Sequence, residues 1–133
     1  MANQTALIVG ALGVTGRALV EHLEDKPDWD IVALSRRAPD LPTRATFLSV
    51  DLTDAADCRA KLAEHPEITH VFYTAYSQQA SVTAEIPVNV GMLANLMDAL
   101  EPAGLRHVQL MHGAKWYGTY LGSYKTPARE DDP

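Results

Sequence analysis

The sequence predicts an α/β fold in which a doubly wound parallel sheet carries helices on both faces. Short apolar runs alternate with helical stretches, the first run is continuously apolar, and a glycine-rich turn follows it directly. Alternating strands and helices joined by right-handed crossovers build a parallel sheet, whose doubly covered strands read as unbroken apolar runs. The 133 residues and their ordinary composition fit a single domain.

Five strands and three helices are predicted in the order strand, helix, strand, strand, helix, strand, helix, strand. The strands are the runs rich in β-branched and aromatic residues at 5–9, 30–34, 46–50, 70–74 and 107–111. The first helix carries apolar residues three and four apart from Gly16 to Leu23. Either Thr53 or Asp54 caps the second helix. Pro87 opens the third helix, which stops near Gly104.

The periodic pattern is lost after Met111. Residues 1–111 are therefore predicted to form the core, and residues 112–133 a loop segment that leads to a missing C-terminal part. The fifth strand is then an edge strand, which such sheets normally cover or extend.

Charge and composition exclude several kinds of partner. Eleven Lys and Arg against 17 Asp and Glu give a net charge of −6, and the basic residues are scattered, so we expect no nucleic acid partner. No apolar run approaches the ~20 residues that span a bilayer, so we expect no membrane partner. The single Cys58 fits a reducing compartment, and the start of the sequence lacks the basic flank of a secretion signal, so we expect a cytoplasmic protein. The five histidines lack the spacing of a metal site.

The turn after the first strand reads Gly10-Ala11-Leu12-Gly13-Val14-Thr15-Gly16 and is typical of an NAD(P)-binding, Rossmann-like fold. One glycine lets the chain turn, one lets backbone amides approach a pyrophosphate, and one lets the helix pack closely. The helix N-terminus offers unpaired N–H groups to the phosphates. The predicted coenzyme residues here are Gly10, Leu12, Gly13, Val14, Thr15 and Gly16. The alternative is a tight turn without a ligand.

The end of the second strand indicates which dinucleotide binds. An NAD site places Asp or Glu about 20 residues beyond the glycine turn, to accept from the ribose 2′-OH. Ser35, Arg36 and Arg37 stand there instead. A hydroxyl and two guanidiniums favour NADP, because they can bind its 2′-phosphate. The alternative is a solvated basic pair on a surface loop.

Two further groups are predicted at the carboxyl ends of strands. Asp51 and Leu52 follow the third strand, where the adenine would lie; Asp51 either accepts from the adenine amino group or caps the next helix. Thr74, Ala75 and Tyr76 end the fourth strand, beside the topological switch between strands one and four. Small residues there let the nicotinamide half of the coenzyme pass.

A resemblance to a known family rests on the glycine turn, the Ser35-Arg36-Arg37 run and two further motifs. The further motifs are 95–100 (NLMDAL) and, most specifically, 108–117 (VQLMHGAKWY), continuing to Ser123-Tyr124-Lys125. With these residues the chain resembles the extended short-chain dehydrogenase/reductase superfamily, and most of all its progesterone 5β-reductase/iridoid synthase-like enone reductases. Proteins of that group are more than twice as long.

The resemblance implies an NADPH-dependent oxidoreductase that delivers hydride to an enone or related carbonyl of a small-molecule substrate. Lys115 matches the catalytic lysine of the group, which stabilises the enolate oxygen together with a tyrosine expected beyond Pro133. The common Tyr-x-x-x-Lys motif is absent, because Met111 and Leu121 stand four residues before the two nearby lysines. The chain alone is therefore expected to be incomplete and inactive.

Two other functions and the oligomeric state stay open. A non-catalytic NADP-binding sensor on the same fold has no need of Lys115, which without the resemblance reads as a surface lysine. A sugar-nucleotide epimerase or dehydratase needs the Tyr-x-x-x-Lys motif. A homodimer is neither required nor excluded.

Overall fold

The structure is a computed structural model that describes residues 4–113, 117–118, 121–123 and 125–132. The elements within these ranges are β1 (Gln4–Val9), α1 (Val14–Glu24), β2 (Trp29–Ser35), β3 (Thr46–Ser49), α2 (Ala55–Leu62), β4 (His70–Tyr73), α3 (Val82–Leu100) and β5 (His107–Leu110). The predicted order is confirmed, and each strand boundary lies within one residue of its prediction.

The five strands form one parallel sheet in the order β3-β2-β1-β4-β5. Strand β1 is central, and Val9 at its end lies opposite Leu34 on one side and Tyr73 on the other. The strand order reverses between β1 and β4, as predicted. A crevice at the carboxyl ends of the strands therefore opens at this point.

Side chains of alternating strand residues enter two separate cores. Ile8 and its neighbours on that face pack with Val20 of α1. Leu7 on the opposite face packs with Cys58 of α2 and Leu96 of α3. The helices thus cover both faces of the sheet, and the predicted doubly wound architecture is confirmed.

The connection between β2 and β3, residues 36–45, contains no helix and lies along α1 instead. Leu41 packs against the core on the α1 side. The guanidinium of Arg44 donates hydrogen bonds of 2.8–3.1 Å to four carbonyl oxygens, those of Leu23, Glu24, Lys26 and Trp29. Arg44 therefore joins the β2–β3 connection to the end of α1 and to the residues that follow it.

Helix α3 differs from its prediction at both ends. Its cap is Ser81, whose hydroxyl accepts from the backbone N–H of Ala84 at 3.2 Å, so Pro87 lies inside the helix and the predicted start at this proline was wrong. The missing N–H of Pro87 affects only the carbonyl of Thr83, in the exposed first turn. The helix ends at Leu100 rather than near Gly104, because Pro102 has no N–H to continue the ladder.

Strand β5 is at the edge of the sheet, as predicted. Among the described residues it pairs only with β4, and three of its four residues are exposed. At the amino ends of the strands, the ring of His70 lies 4.8 Å from Trp29 and 6.3 Å from His107, centroid to centroid. Within the described part of the chain no helix has the length and apolar character needed to cross a membrane.

Candidate functional site

A cleft of about 680 Å³ opens at the carboxyl ends of β1, β2, β3 and β4. Its walls are the glycine turn, the residues that follow β2 and β3, and the loop that follows β4. The lining residues are Gly10, Leu12, Gly13, Leu34, Ser35, Arg36, Arg37, Val50, Asp51, Leu52, Thr53, Thr74, Ala75, Tyr76, Ser77 and Met92. This is the crevice beside the topological switch, where open α/β sheets bind their ligands.

Most of the residues predicted to bind the coenzyme line this one cleft. The exceptions are Val14, Thr15 and Gly16, which form the first turn of α1. The lining residues that the prediction missed are Leu34, Val50, Thr53, Ser77 and Met92. The first four adjoin predicted residues in the sequence, so widening each predicted group would have included them. Met92 comes from the middle of α3, and no signal in the sequence marks it.

The glycine turn has no space for a side chain at two of its three glycines. Gly10 has φ +80°, and a Cβ there would lie 2.9 Å from the backbone nitrogen of Ala75. A Cβ on Gly16 would lie 2.2 Å from the carbonyl oxygen of Gly10. At Gly13 the nearest atom would be 3.3 Å away. The close packing of α1 on the turn therefore requires Gly10 and Gly16 whether or not a ligand binds.

Backbone hydrogen bonds hold the turn and leave the start of α1 open. The N–H groups of Gly10 and Ala11 both donate to the carbonyl of Leu34, at 3.0 and 3.1 Å. Gly13 is the N-cap residue, so no side chain caps the helix, and its first turn holds no acidic residue. The N–H groups of residues 14–16 thus have no intrahelical acceptor, and an anion is their natural partner.

The residues after β2 form a tight turn that presents two arginines to the cleft. The Ser35 hydroxyl donates to the carbonyl of Arg37 and accepts from its N–H at 3.2 Å. Ser35 thus shapes the turn that carries Arg36 and Arg37. Within the described part of the chain neither guanidinium forms an ion pair with a carboxylate, so both are available to an anionic ligand.

Hydrogen bonds decide whether Asp51 caps α2, one of the two roles that the sequence allowed for it. Its carboxylate accepts from the N–H and the hydroxyl of Thr53, at 2.9 and 2.7 Å, and these bonds hold the pKa of Asp51 below its ordinary value. The cap of α2 is Asp54, which accepts from the N–H groups of Ala56 and Asp57. The capping interpretation of Asp51 was therefore wrong, and its contact with adenine stays a prediction.

The loop after β4 is anchored at both ends. The N–H and hydroxyl of Thr74 donate to the carbonyl of Val9, at 2.9 and 2.7 Å, which joins the wall to β1. The backbone of Ser77 exchanges two 2.8 Å hydrogen bonds with the side chain of Asn89 on α3. Tyr76 donates its hydroxyl proton to Glu85, which raises the pKa of this phenol. The loop that forms this wall of the cleft is thus fixed by contacts with β1 at one end and with α3 at the other.

Two other titratable groups are buried next to this site. The hydroxyl of Tyr73 has no hydrogen-bond partner in the described part of the chain, and burial raises its pKa to about 12. Burial also raises the pKa of Cys58, whose thiol is completely covered. Both groups are therefore neutral at physiological pH and belong to the packed core.

The predicted catalytic residue Lys115 lies outside the described residues, as does its neighbour Trp116. The geometry described for the site is therefore that of the cleft at the carboxyl ends of the strands. No group of three or more His, Cys, Asp or Glu within the described ranges is arranged to hold a metal ion.

Comparison with protein families places residues 6–133 in one family model, that of the NAD dependent epimerase/dehydratase family. An (S)-8-oxocitronellyl enol synthase of Nepeta racemosa is 32% identical over 96% of this chain and 36% of its own length. A 3-oxo-Delta(4,5)-steroid 5-beta-reductase of Arabidopsis thaliana is 35% identical over 86% of this chain and 32% of its own length. The chain thus spans about a third of these relatives.

Solved structures with the same fold extend the comparison. A short chain dehydrogenase from Burkholderia cenocepacia, solved in complex with NADP, superposes with a TM-score of 0.65 at 21% identity, over 77% of this chain and 49% of that one. The ADP-L-glycero-D-manno-heptose-6-epimerase of Helicobacter pylori superposes with a TM-score of 0.71 at 19% identity, over 97% of this chain and 44% of that one. At these identities the likeness concerns the fold.

Proposed function

This chain belongs to the NAD dependent epimerase/dehydratase family, and from that premise we propose that it forms the coenzyme-binding part of an NADPH-dependent reductase of enones or related carbonyls. One observation carries the proposal. Gly13, at the uncapped start of α1, and the carboxylate-free basic turn of residues 35–37 line the same cleft, at the topological switch of the sheet. The names of the two plant relatives, an enol synthase and a 3-oxo-steroid reductase, support the substrate class.

The residues of the cleft fit the parts of a dinucleotide. The open N–H groups of residues 14–16 bind the pyrophosphate, and the absence of Cβ atoms at Gly10 and Gly16 keeps α1 close to it. Leu52 and the residues beside it accept the adenine ring, with Asp51 next to its amino group. Thr74, Ala75 and Tyr76 border the nicotinamide half. When bound, this coenzyme supplies the hydride for the reduction.

The preference for NADP over NAD is part of the proposal. Arg36 and Arg37 attract a 2′-phosphate, and no carboxylate follows β2 directly to accept from a 2′-OH. The turn made by Ser35 carries both arginines, which line the cleft.

Lys115 is the proposed catalytic residue of this chain. In this role the ammonium of Lys115 stabilises negative charge on the carbonyl oxygen of the substrate as hydride is delivered. We further propose that residues 1–111 form the coenzyme core, that residues 112–133 lead to the remainder of the protein, and that a later segment supplies the tyrosine. The length of the relatives supports this division.

Titration of the full-length protein with NADPH and NADH tests the coenzyme proposal. We expect NADPH to bind more tightly, and Arg36→Ala to weaken NADPH about tenfold, as the loss of a charge-assisted hydrogen bond does. The NADH affinity is expected to stay the same. The matched control is Arg59→Ala on α2, an exposed arginine away from the cleft. Equal affinity of the wild type for the two coenzymes contradicts the proposed preference.

Substitution of Lys115 separates a reductase from a coenzyme sensor. With a panel of enones as substrates, we expect Lys115→Ala to lower kcat by about two to three orders of magnitude, as the loss of an oxyanion donor does. NADPH binding is expected to persist, since Lys115 does not hold the phosphates. Lys26→Ala, at an exposed site beyond α1, is the control. A Lys115→Ala variant with unchanged turnover rules out the proposed reductase mechanism.

A further inference from the structure

An exposed ion pair stands beside the basic wall of the cleft. Nη2 of Arg17 lies 2.7 Å from Oδ1 of Asp40, and the two side chains are 35% and 71% exposed. Arg17 is one helical turn beyond Gly13, to whose carbonyl its own N–H donates at 2.8 Å. Asp40 follows Arg37 by three residues. Both members of the pair are thus attached to segments that line the cleft through Gly13 and Arg37.

The contacts of the β2–β3 loop keep Asp40 at this position. Leu41, the next residue, packs into the core on the α1 side. Farther along, Thr43 and Arg44 are hydrogen-bonded to Glu24 at the end of α1. The loop is therefore attached to α1 on the far side of Asp40, and its carboxylate is held next to the helix.

Asp40 interacts with two cations of the same wall. Its hydrogen bond to Arg17 is the largest cause of its lowered pKa, and the charge of Arg37 lowers the pKa further. The carboxylate is therefore ionised at neutral pH. It is paired with Arg17 and also interacts with the charge of Arg37, a residue that lines the cleft.

We propose that Arg17 is a third ligand of the 2′-phosphate of NADPH, and that Asp40 holds its guanidinium until the phosphate replaces the carboxylate. This inference rests on the proposed function. An exposed ion pair contributes little stability, so replacing the carboxylate of Asp40 by another anion costs little free energy. A phosphate monoester carries more charge than a carboxylate and accepts bidentate hydrogen bonds from arginine. Asp40 thereby lowers the affinity for NADPH and leaves that for NADH, which lacks the phosphate, unchanged.

A double-mutant cycle separates this exchange from simple repulsion between Asp40 and the phosphate. The NADPH and NADH dissociation constants are measured by fluorescence titration at low ionic strength in full-length wild type, Asp40→Asn, Arg17→Gln and the double variant. We expect Asp40→Asn to tighten NADPH about two- to fivefold, which is the strength of one exposed pair. Arg17→Gln weakens NADPH by at least about threefold, as loss of a phosphate ligand does. The double variant matches Arg17→Gln.

Three controls accompany the cycle. NADH affinity stays within about twofold in all four proteins, since the exchange needs the phosphate. Asp98→Asn on α3, which removes the same charge from an exposed site on the opposite face of the sheet, leaves NADPH binding unchanged. The thermal unfolding midpoints of the variants check that each one is folded.

Several outcomes overturn the inference. If the gain from Asp40→Asn persists in the Arg17→Gln background, Asp40 only repels the phosphate and Arg17 does not bind it. Equal changes for NADPH and NADH, or no change in either single variant, also contradict the exchange. If the wild type prefers NADPH but the NADPH dissociation constant is the same in all four proteins, only this inference fails. If the wild type binds neither coenzyme, the proposed function fails, and the inference fails with it.

Discussion

The two walls on the α1 side of the cleft are built in opposite ways. The glycine turn, residues 10–16, is held by backbone hydrogen bonds and has no space for a Cβ at Gly10 or Gly16. The β2–β3 loop, residues 36–45, is held by side chains, among them Asp40 and Arg44. Both walls begin at the ends of neighbouring central strands and face the same cleft.

This difference indicates which part of a ligand each wall can recognise. Backbone N–H groups have one chemistry and one geometry, which suits the pyrophosphate that NAD and NADP share. Side chains can be exchanged without moving the strands, which suits the ribose substituent by which NAD and NADP differ. Under the proposed function, the backbone wall therefore supports binding of either coenzyme, and the side-chain wall sets the preference between them.

Substitution of Gly16 is expected to have the largest effect, because it breaks the backbone wall. A methyl group 2.2 Å from the Gly10 carbonyl forces α1 away from the turn. We expect Gly16→Ala to lower the free energy of unfolding by about 3 kcal/mol, measured in urea, and to abolish binding of both coenzymes. Gly13→Ala is the matched control, with a nearest contact of 3.3 Å and an expected loss below about 1 kcal/mol. Equal losses in the two variants contradict this account of the turn.

Substitution of Arg44 breaks the side-chain wall at its far end. Arg44→Met keeps much of the aliphatic length but removes the donor to four carbonyl oxygens around the end of α1. We expect a loss of about 2 kcal/mol in the free energy of unfolding, because some of these carbonyls are only partly accessible to water. Coenzyme binding should weaken more for NADPH than for NADH, since the loop carries Arg36 and Arg37. Arg59→Met is the control, and an equally small effect of both substitutions would argue against this role of Arg44.

Lowering the pH is expected to have the smallest effect. It should change the β2–β3 loop but not the glycine turn, so it distinguishes the two walls without a substitution. Residues 10–16 hold no titratable side chain, whereas the loop is attached to α1 partly through Asp40. The folded pKa of Asp40 is below its ordinary value because Arg17 stabilises the carboxylate. The pair therefore adds stability at neutral pH, and this stability is lost as the pH falls below about 3.9.

Amide chemical shifts between pH 6 and pH 3 measure this separation. We expect the N–H signals of Asp40 and Leu41 to move before those of residues 10–16. In Asp40→Asn this early change at residues 40 and 41 should be absent, whereas Thr43 and Arg44, which are hydrogen-bonded to the carboxylate of Glu24, are not expected to change their response. A simultaneous change in both segments would indicate that acid acts on the whole domain rather than on this ion pair.

Local patterns predicted most of the fold. The strands were located from apolar runs and the turn from its glycines, because these features depend on residues adjacent in sequence. The start of α3 was missed for a local reason: Pro87 is tolerated in the first turns of a helix as well as at its opening, and the cap at Ser81 decided between them. The capping interpretation of Asp51 failed because Asp54 stands closer to the helix and takes that position.

The residues that the sequence did not indicate act across long separations. Met92 reaches the cleft from α3, and Arg44 acts 18–21 residues from three of its acceptors. Arg17 and Asp40 are 23 residues apart and read in the sequence as two ordinary surface charges. Their partnership depends on the path of the β2–β3 loop along α1, which no spacing rule specifies.

The sequence by itself determined the order of the strands and helices, the glycine turn and the basic character of the residues after β2, because each follows from the conformational preferences of adjacent residues. The tertiary structure alone decided which face of the sheet each helix covers, that the β2–β3 loop lies along α1, and that Asp40 joins Arg17. These features arise from packing and charge pairing between distant segments, whose free energies exist only once the sheet has brought the segments together.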